Sequence, residues 1–508
     1  MPDLYDEYKP LRNLLRQYNL QQSLEDIWML ASHLNGGKAL PLFFGDGKPD
    51  KVRDYLFLWD LPILQREIVL NATPKGIRRL NTFHSLGTVI NMVRRVEETA
   101  SSLFINSGAG PDHALASLHA TIHRQFPWQH QRVAQSLIRY LKLYGSEEIG
   151  VVLKREAGVS IHEWFFLGMA VGGHLSKHPG INATQTYQAF GIENNRSSPF
   201  FGKLSISINE LRDKTLALQS YDADWVHTWN PIEATPLIEL DTASPHLLHC
   251  PLPELFLRRI GPGLFYDLTQ KKGFDNPYGK SFESYIGEVV HATYGANQYK
   301  LLDQVQYRDG LNKKHGTDWV LVDDGANLFI ECKTKRMNWN AKLSFDRNRL
   351  LAQLKYLATA FVQLYKNIGD AKLGKTDWQV NDRPIYPLVV TLEDWILFGP
   401  VVKSLLDGEV RAKMLEAGLE ISILQTMPYC VMSAAEFESA CPVWAVVGIR
   451  EFFERRHHPE YVEWLVQDMA CDAFPEAWKA RPEVLFKEDW LNAFPNKVGP
   501  LHQAFPSM

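Results

Sequence analysis

Apolar residues recur at intervals of three and four through the first two hundred positions, as in Leu11, Leu14, Leu15 and Tyr18, and again in Val133, Leu137, Leu141 and Tyr144. That spacing puts them on one stripe of an α-helix, so the region reads as amphipathic helices whose apolar faces pack together. Ser23, followed three residues later by Asp26, predicts a helix start opening a second stripe with Leu24, Ile27 and Trp28. Prolines at 231, 236, 245, 251 and 253 then deny the chain regular helix, and a domain boundary is expected near residue 240.

Beyond that point the pattern changes. It predicts a helix over 281–294, a strand-rich stretch over 318–333, a long helix around 347–366, a β-branched strand over 388–392, a helix near 401–417 and a short strand over 429–432. The chain is therefore expected to be an α+β multidomain protein. Residues 1–240 form a helical region, 241–440 a domain of alternating helices and strands, and 441–508 a helical tail anchored by Trp464, Trp478 and Trp490.

Composition narrows the class. A chain of 508 residues predicts about three domains at roughly 100–200 residues each, and 45% apolar with 22% charged residues excludes a largely disordered or fibrous protein. Five cysteines (250, 332, 430, 441, 471) without CxxC spacing point away from a zinc ribbon or a secreted disulfide scaffold and toward a reducing, cytoplasmic setting. The amino terminus lacks the basic-then-apolar order of a signal peptide, and the most apolar run, 164–173, is about half a bilayer span, so no membrane association is expected. A net charge of −4 means that any nucleic-acid binding must rest on a local patch.

The candidate chemistry lies in 316–333. Asp323-Asp324-Gly325-Ala326-Asn327 is a turn cluster between two apolar runs, which predicts a β-hairpin. Pairing Asp323 with Leu328 would set Val320 opposite Glu331 and Asp318 opposite Lys333, with Asp318, Glu331 and Lys333 on one face at one end. Two neighbouring carboxylates in an apolar sheet stay ionised only around a cation, and hard oxygen ligands suit Mg²⁺ or Mn²⁺. Such an ion activates water and stabilises the charge that develops on a phosphodiester, with Lys333 orienting the water or neutralising that charge.

Asp318, twelve intervening residues and Glu331-Cys332-Lys333 resemble the D…ExK signature of the PD-(D/E)XK nuclease superfamily. The resemblance implies a restriction-endonuclease-like α/β/α core within 241–440, a Mg²⁺-dependent deoxyribonuclease, and DNA as partner. Gly279-Lys280-Ser281-Phe282-Glu283 matches the superfamily's upstream G-x-x-[FL]-E helix, and implies Glu283 as a third metal ligand beside Asp318 and Glu331. Glu283 and Glu288 lie about 140° apart on a helix, so only one can face the hairpin. Ile286, Gly287 and Val290 put Glu283 on the packed side. Thr317 stands where a proline often precedes the aspartate. Gln353 and Tyr356 resemble a substrate- or metal-holding pair of the exonuclease branch, with one residue fewer between them. The resemblance also implies a place in bacterial restriction or anti-phage defence, with 1–240 a recognition, sensing or assembly module that meets partner proteins. A non-catalytic nuclease-fold module that binds nucleic acid or scaffolds a complex, and an RNase using the same site, are the alternatives.

From Glu331 to Arg349, six basic residues (Lys333, Lys335, Arg336, Lys342, Arg347, Arg349) face two acidic ones, and Trp339 and Phe345 are interleaved. Gln353 and Tyr356 would extend this track for a nucleic-acid strand past the metal. Gly273 to Ser281 nearly spells a phosphate-binding loop, but five residues separate its glycines and Pro277 removes an amide. His119 and His123 are expected to be ordinary helix-surface residues, and His457-His458 likewise surface.

Overall fold

The computed structural model describes residues 4–40, 50–107, 111–129, 132–295, 299–303, 306–309, 312–338, 341–342, 347–397 and 400–494. It is an α+β protein of two compact units. One runs to Phe274 and includes the stretch from Glu488, and the other is Asp275–Lys487. No helix among the described residues is long and apolar enough to cross a membrane.

In the first unit the expected stripe forms the helix Leu4–Leu15, which buries Leu4, Tyr8, Leu11 and Leu15. The second helix, Leu20–Gly36, starts earlier than expected. Asn19 is its cap, its side chain accepting from the Gln22 N–H at 3.0 Å. Ser23 is buried inside that helix, and Asp26 instead pairs with Arg79 at 2.7 Å. The stripe at 133–144 forms the helix Val133–Tyr144.

The proline-rich stretch is not a linker. It supplies Leu237–Glu239 and Leu247–His249, the central strands of a four-stranded sheet edged by Gly180–Asn182 and Ser205–Ser207. Pro253 stands in the first turn of the helix Pro253–Ile260, where its missing N–H costs nothing, and that helix packs on Ile161–Leu175. The division between units therefore falls at 274/275 rather than near 240.

The second unit is built from α1 (Asp275–Thr293), β1 (Lys300–Asp303), a ribbon of β2 (Gln306–Asp309) and β3 (Asn312–His315), then β4 (Trp319–Val322), β5 (Asn327–Lys333), α2 (Arg347–Lys372), β6 (Ile385–Thr391), α3 (Pro400–Glu416), β7 (Cys430–Ser433), α4 (Ala434–Val447) and α5 (Ile449–Arg456). Its mixed five-stranded sheet has the order β7-β6-β5-β4-β1. β1, β4 and β5 form an antiparallel meander, and β5, β6 and β7 run parallel. Every residue of β6 is buried, as suits a strand covered on both faces. One face carries Val320, Phe329, Ile385 and Val389 into a single apolar cluster with Leu354, Leu357, Phe361 and Leu364 of α2 and with α3 behind it. α1 and α4 pack against the other face.

A break at 440 does not occur either. Ser433 and Glu436 form a capping box that turns β7 directly into α4, and α4 continues through Cys441 and Pro442. The stretch from Glu488 belongs with the first unit, where Trp490 packs edge-to-face on Phe165. The near-miss phosphate loop is mostly helix, since α1 opens at Asp275 and contains Gly279, Lys280 and Ser281.

Candidate active site

The hairpin forms, but its register differs from expectation by two residues. Asp323 sits in the turn. Its Oδ1 accepts from the N–H groups of Gly325 and Ala326, both at 2.8 Å, and its Oδ2 accepts from Ile449 at the start of α5, also at 2.8 Å. With Asp323 so occupied, pairing begins at Val322 with Asn327 and runs to Trp319 with Ile330. One further step sets Asp318 beside Glu331 rather than Lys333. A shift of two conserves the face of every side chain.

Asp318 is buried, and its Oδ2 accepts from the Cys332 N–H at 2.6 Å. Glu331 is 2% exposed, and its Oε1 accepts from Lys333 Nζ at 2.6 Å while its Oε2 is buried with no hydrogen-bond partner. α1 is held against β4 by Trp319, whose indole N–H donates to the Glu283 carbonyl at 2.8 Å. Gly287, one turn on, permits that approach, because a Cβ there would lie 2.5 Å from Trp319 Cζ2. Trp319 and Gly287 thus set the turn that carries Glu283. Glu288 is exposed.

The four groups share one electrostatic field. Burial, then the neighbouring Glu331 charge, pushes Asp318 up to about 8. Burial likewise raises Glu331, against the pull of Lys333. Glu283 is raised by burial and opposed first by the Lys333 charge, so it lies within electrostatic reach of that ammonium. Burial works to deprotonate Lys333, but the charge and hydrogen bond of Glu331 and the charge of Asp318 overcome it, and its pKa rises. Lys333 is therefore a cation at neutral pH.

The donor set suits a hard divalent ion: carboxylate oxygens, one of them orphaned in the interior, crowded enough to repel each other's charge. The side chains are not drawn into a ready ligand cage. Among the described residues no group of three or more His, Cys, Asp or Glu side chains is arranged to hold a metal. Asp318 Oδ2 and Glu331 Oε1 are turned instead to the Cys332 amide and to Lys333.

The basic track is only partly what the charge run suggests. Lys335 and Arg349 are exposed. Arg336 is buried, donating to Glu393 at 2.9 Å, with Tyr278 of α1 at 3.4 Å, and Lys342 pairs with the other Glu393 oxygen at 3.0 Å. Glu393, just past β6, consumes two cations read as phosphate contacts, and no signal near them in the chain announces it. Trp339, Phe345 and the Arg347 side chain lie outside the described residues. Tyr356 is exposed and close enough to Lys333 to influence its charge. Gln353 lies one turn earlier on α2, its Oε1 buried without a partner. Arg336→Ala is expected to lower stability by about 1–3 kcal/mol, because Glu393 loses a buried partner, while leaving the salt slope of nucleic-acid binding unchanged. A thermal melt and a salt titration check this, and an altered slope would restore Arg336 to the track.

His119 and His123 are not surface residues: both are buried, with rings edge-to-face at 4.5 Å. His457 is half-buried, and burial lowers its pKa to about 4. No family model, curated protein or solved structure matches this chain.

Proposed function

We propose that the second unit is a Mg²⁺-dependent nuclease that hydrolyses phosphodiester bonds of DNA. The observation that carries this reading is the like-charge pair Asp318 and Glu331, buried beside Lys333 with a Glu331 oxygen left unsatisfied. Such an arrangement is costly unless a cation is meant to sit there. Asp318, Glu331 and Glu283 would hold Mg²⁺, with Mn²⁺ able to substitute. The bound ion would supply water activation and charge stabilisation at the scissile phosphate. Lys333 is held protonated by its carboxylate neighbours, so it acts as a donor and counter-charge, not as a general base. Tyr356, near Lys333 on α2, and exposed Lys335 and Arg349 would guide the strand. The helical first unit would then serve in recognition, sensing or assembly, as in bacterial restriction and anti-phage systems.

The test is digestion of plasmid, linear duplex and single-stranded DNA, and of RNA, by the full chain with Mg²⁺ or Mn²⁺, with and without EDTA. Cleavage of DNA that EDTA abolishes is the expected result. Salt-sensitive DNA binding with no turnover would make the unit a binding module instead, and faster turnover of RNA would make it a ribonuclease.

A further inference from the structure

A cavity of about 450 Å³ opens beyond the carboxyl ends of β6 and β7, where Thr391 and Ser433 pair and both line it. None of Glu283, Asp318, Glu331 or Lys333 lines it. The crevice beyond the carboxyl ends of neighbouring parallel strands is where open α/β sheets bind small ligands.

Its lining has three kinds of chemistry. On α3, Lys403, Asp407 and Arg411 follow one another at helical spacing along the wall. Lys403 and Asp407 pair at 3.0 Å, whereas exposed Arg411 makes no ion pair among the described residues. The lining also carries the carboxyl groups of exposed Asp394 and half-buried Glu436, with Arg456 near Glu436. Glu436 accepts from the Ser433 N–H at 2.8 Å, and burial followed by the Asp394 charge raises its pKa to about 7. The other Glu436 oxygen accepts from the Val466 N–H at 3.4 Å, and Asp394 accepts from the Ile396 N–H at 2.7 Å. The aromatic surfaces are Tyr429, Trp395 and Trp464, the last 40% exposed.

With Lys403 and Asp407 neutralising each other and Arg456 near Glu436, exposed Arg411 is left on the wall as a cation with no ion pair among the described residues. The cavity therefore favours an anion over a cation. A bare inorganic anion would leave the aromatic wall and the carboxyl groups unused. We propose that this cavity binds a nucleoside monophosphate, its phosphate on Arg411, its base against Trp464, and the polar edge of the base on Asp394 and Glu436. The proposal stands apart from the nuclease reading.

The experiment is isothermal titration of the full chain with AMP, GMP, CMP, UMP and inorganic phosphate in turn. At least one nucleotide should bind with a Kd in the range of about 1 μM to 1 mM, at least about tenfold tighter than phosphate. Arg411→Ala and Trp464→Ala, both at accessible positions, should each weaken that binding by about fivefold or more. Lys333→Ala should leave it unchanged, which separates this cavity from the cluster on β4 and β5. Absence of binding up to about 5 mM, binding indifferent to Arg411→Ala, affinity for phosphate equal to that for the nucleotides, or loss of binding in Lys333→Ala would each overturn the proposal.

Discussion

Asp318→Asn and Glu331→Gln are expected to lower DNA cleavage by at least about 10³-fold, because each removes a charged oxygen ligand where the transition state needs the ion most. Asp318→Asn should at the same time stabilise the metal-free protein by about 1–3 kcal/mol at pH 8. The two effects have one cause. A carboxylate whose burial and like-charge neighbour raise its pKa favours the protonated form, so in the absence of metal the ionised pair works against folding. Asparagine keeps a carbonyl oxygen for the Cys332 amide and removes the repulsion.

The sign of the pH dependence follows. Asp318 has a folded pKa above its unfolded value, so the stability it contributes is complete below about pH 4. That contribution is lost as pH rises toward about 8. In EDTA the wild-type melting temperature should fall between about pH 5 and pH 8.5, and Asp318→Asn should flatten the decline. Mn²⁺ should restore more stability at the upper end of that window than at the lower, since a metal binds the ionised pair. Thermal melts with and without metal at several pH values give the answer, alongside cleavage rates. If both variants digest DNA at the wild-type rate, the cluster is not catalytic, and a pH-independent melt would mean that the pair is not ionised against a penalty.

In the first unit, Glu67→Ala is expected to cost about 3–5 kcal/mol. Arg66 and Glu67 are each at most 1% exposed and pair at 2.9 Å. Glu67 also accepts from the Tyr8 hydroxyl at 2.8 Å, and Arg66 donates to the Trp225 carbonyl at 3.0 Å and lies over the Trp225 ring. Truncating Glu67 leaves a guanidinium buried beside an aromatic ring with its main counter-charge gone. The double change Arg66→Met with Glu67→Gln should cost less than Glu67→Ala, because it removes both charges and keeps an acceptor for Tyr8. Urea denaturation followed by tryptophan fluorescence measures both. A cost for Glu67→Ala below about 1 kcal/mol would mean that Arg66 finds another partner or water on truncation.

How far the candidate site was legible depends on which interactions are local. Alternation of side chains along a strand is a property of the backbone, so Asp318, Glu331 and Lys333 could be put on one face even with the register misjudged by two. The register itself depended on Asp323, whose two oxygens close the turn and reach α5. That second contact spans more than a hundred residues and leaves no mark near the turn. Arg336 and Lys342 are drawn to a carboxylate instead of lying free along the track for the same reason. A run of cations looks solvated until the distant carboxylate that gathers them, Glu393, is known. The prolines misled in another way. Prolines deny the chain regular helix and so predict a break, whereas Pro253 starts a helix and the segment around it supplies two strands.

Periodicity and turn composition by themselves determined that this is an α+β chain with a helical amino-terminal half, and that a hairpin carries two carboxylates and an amine on one side. These features arise between residues a few positions apart, where helical and strand geometry leave little choice. Only the tertiary structure decided where the units divide, which cations are exposed, that Glu283 comes within electrostatic reach of Lys333, and that Asp394 and Glu436 share a cavity. Those outcomes join positions tens to hundreds of residues apart, and packing rather than local geometry selects them.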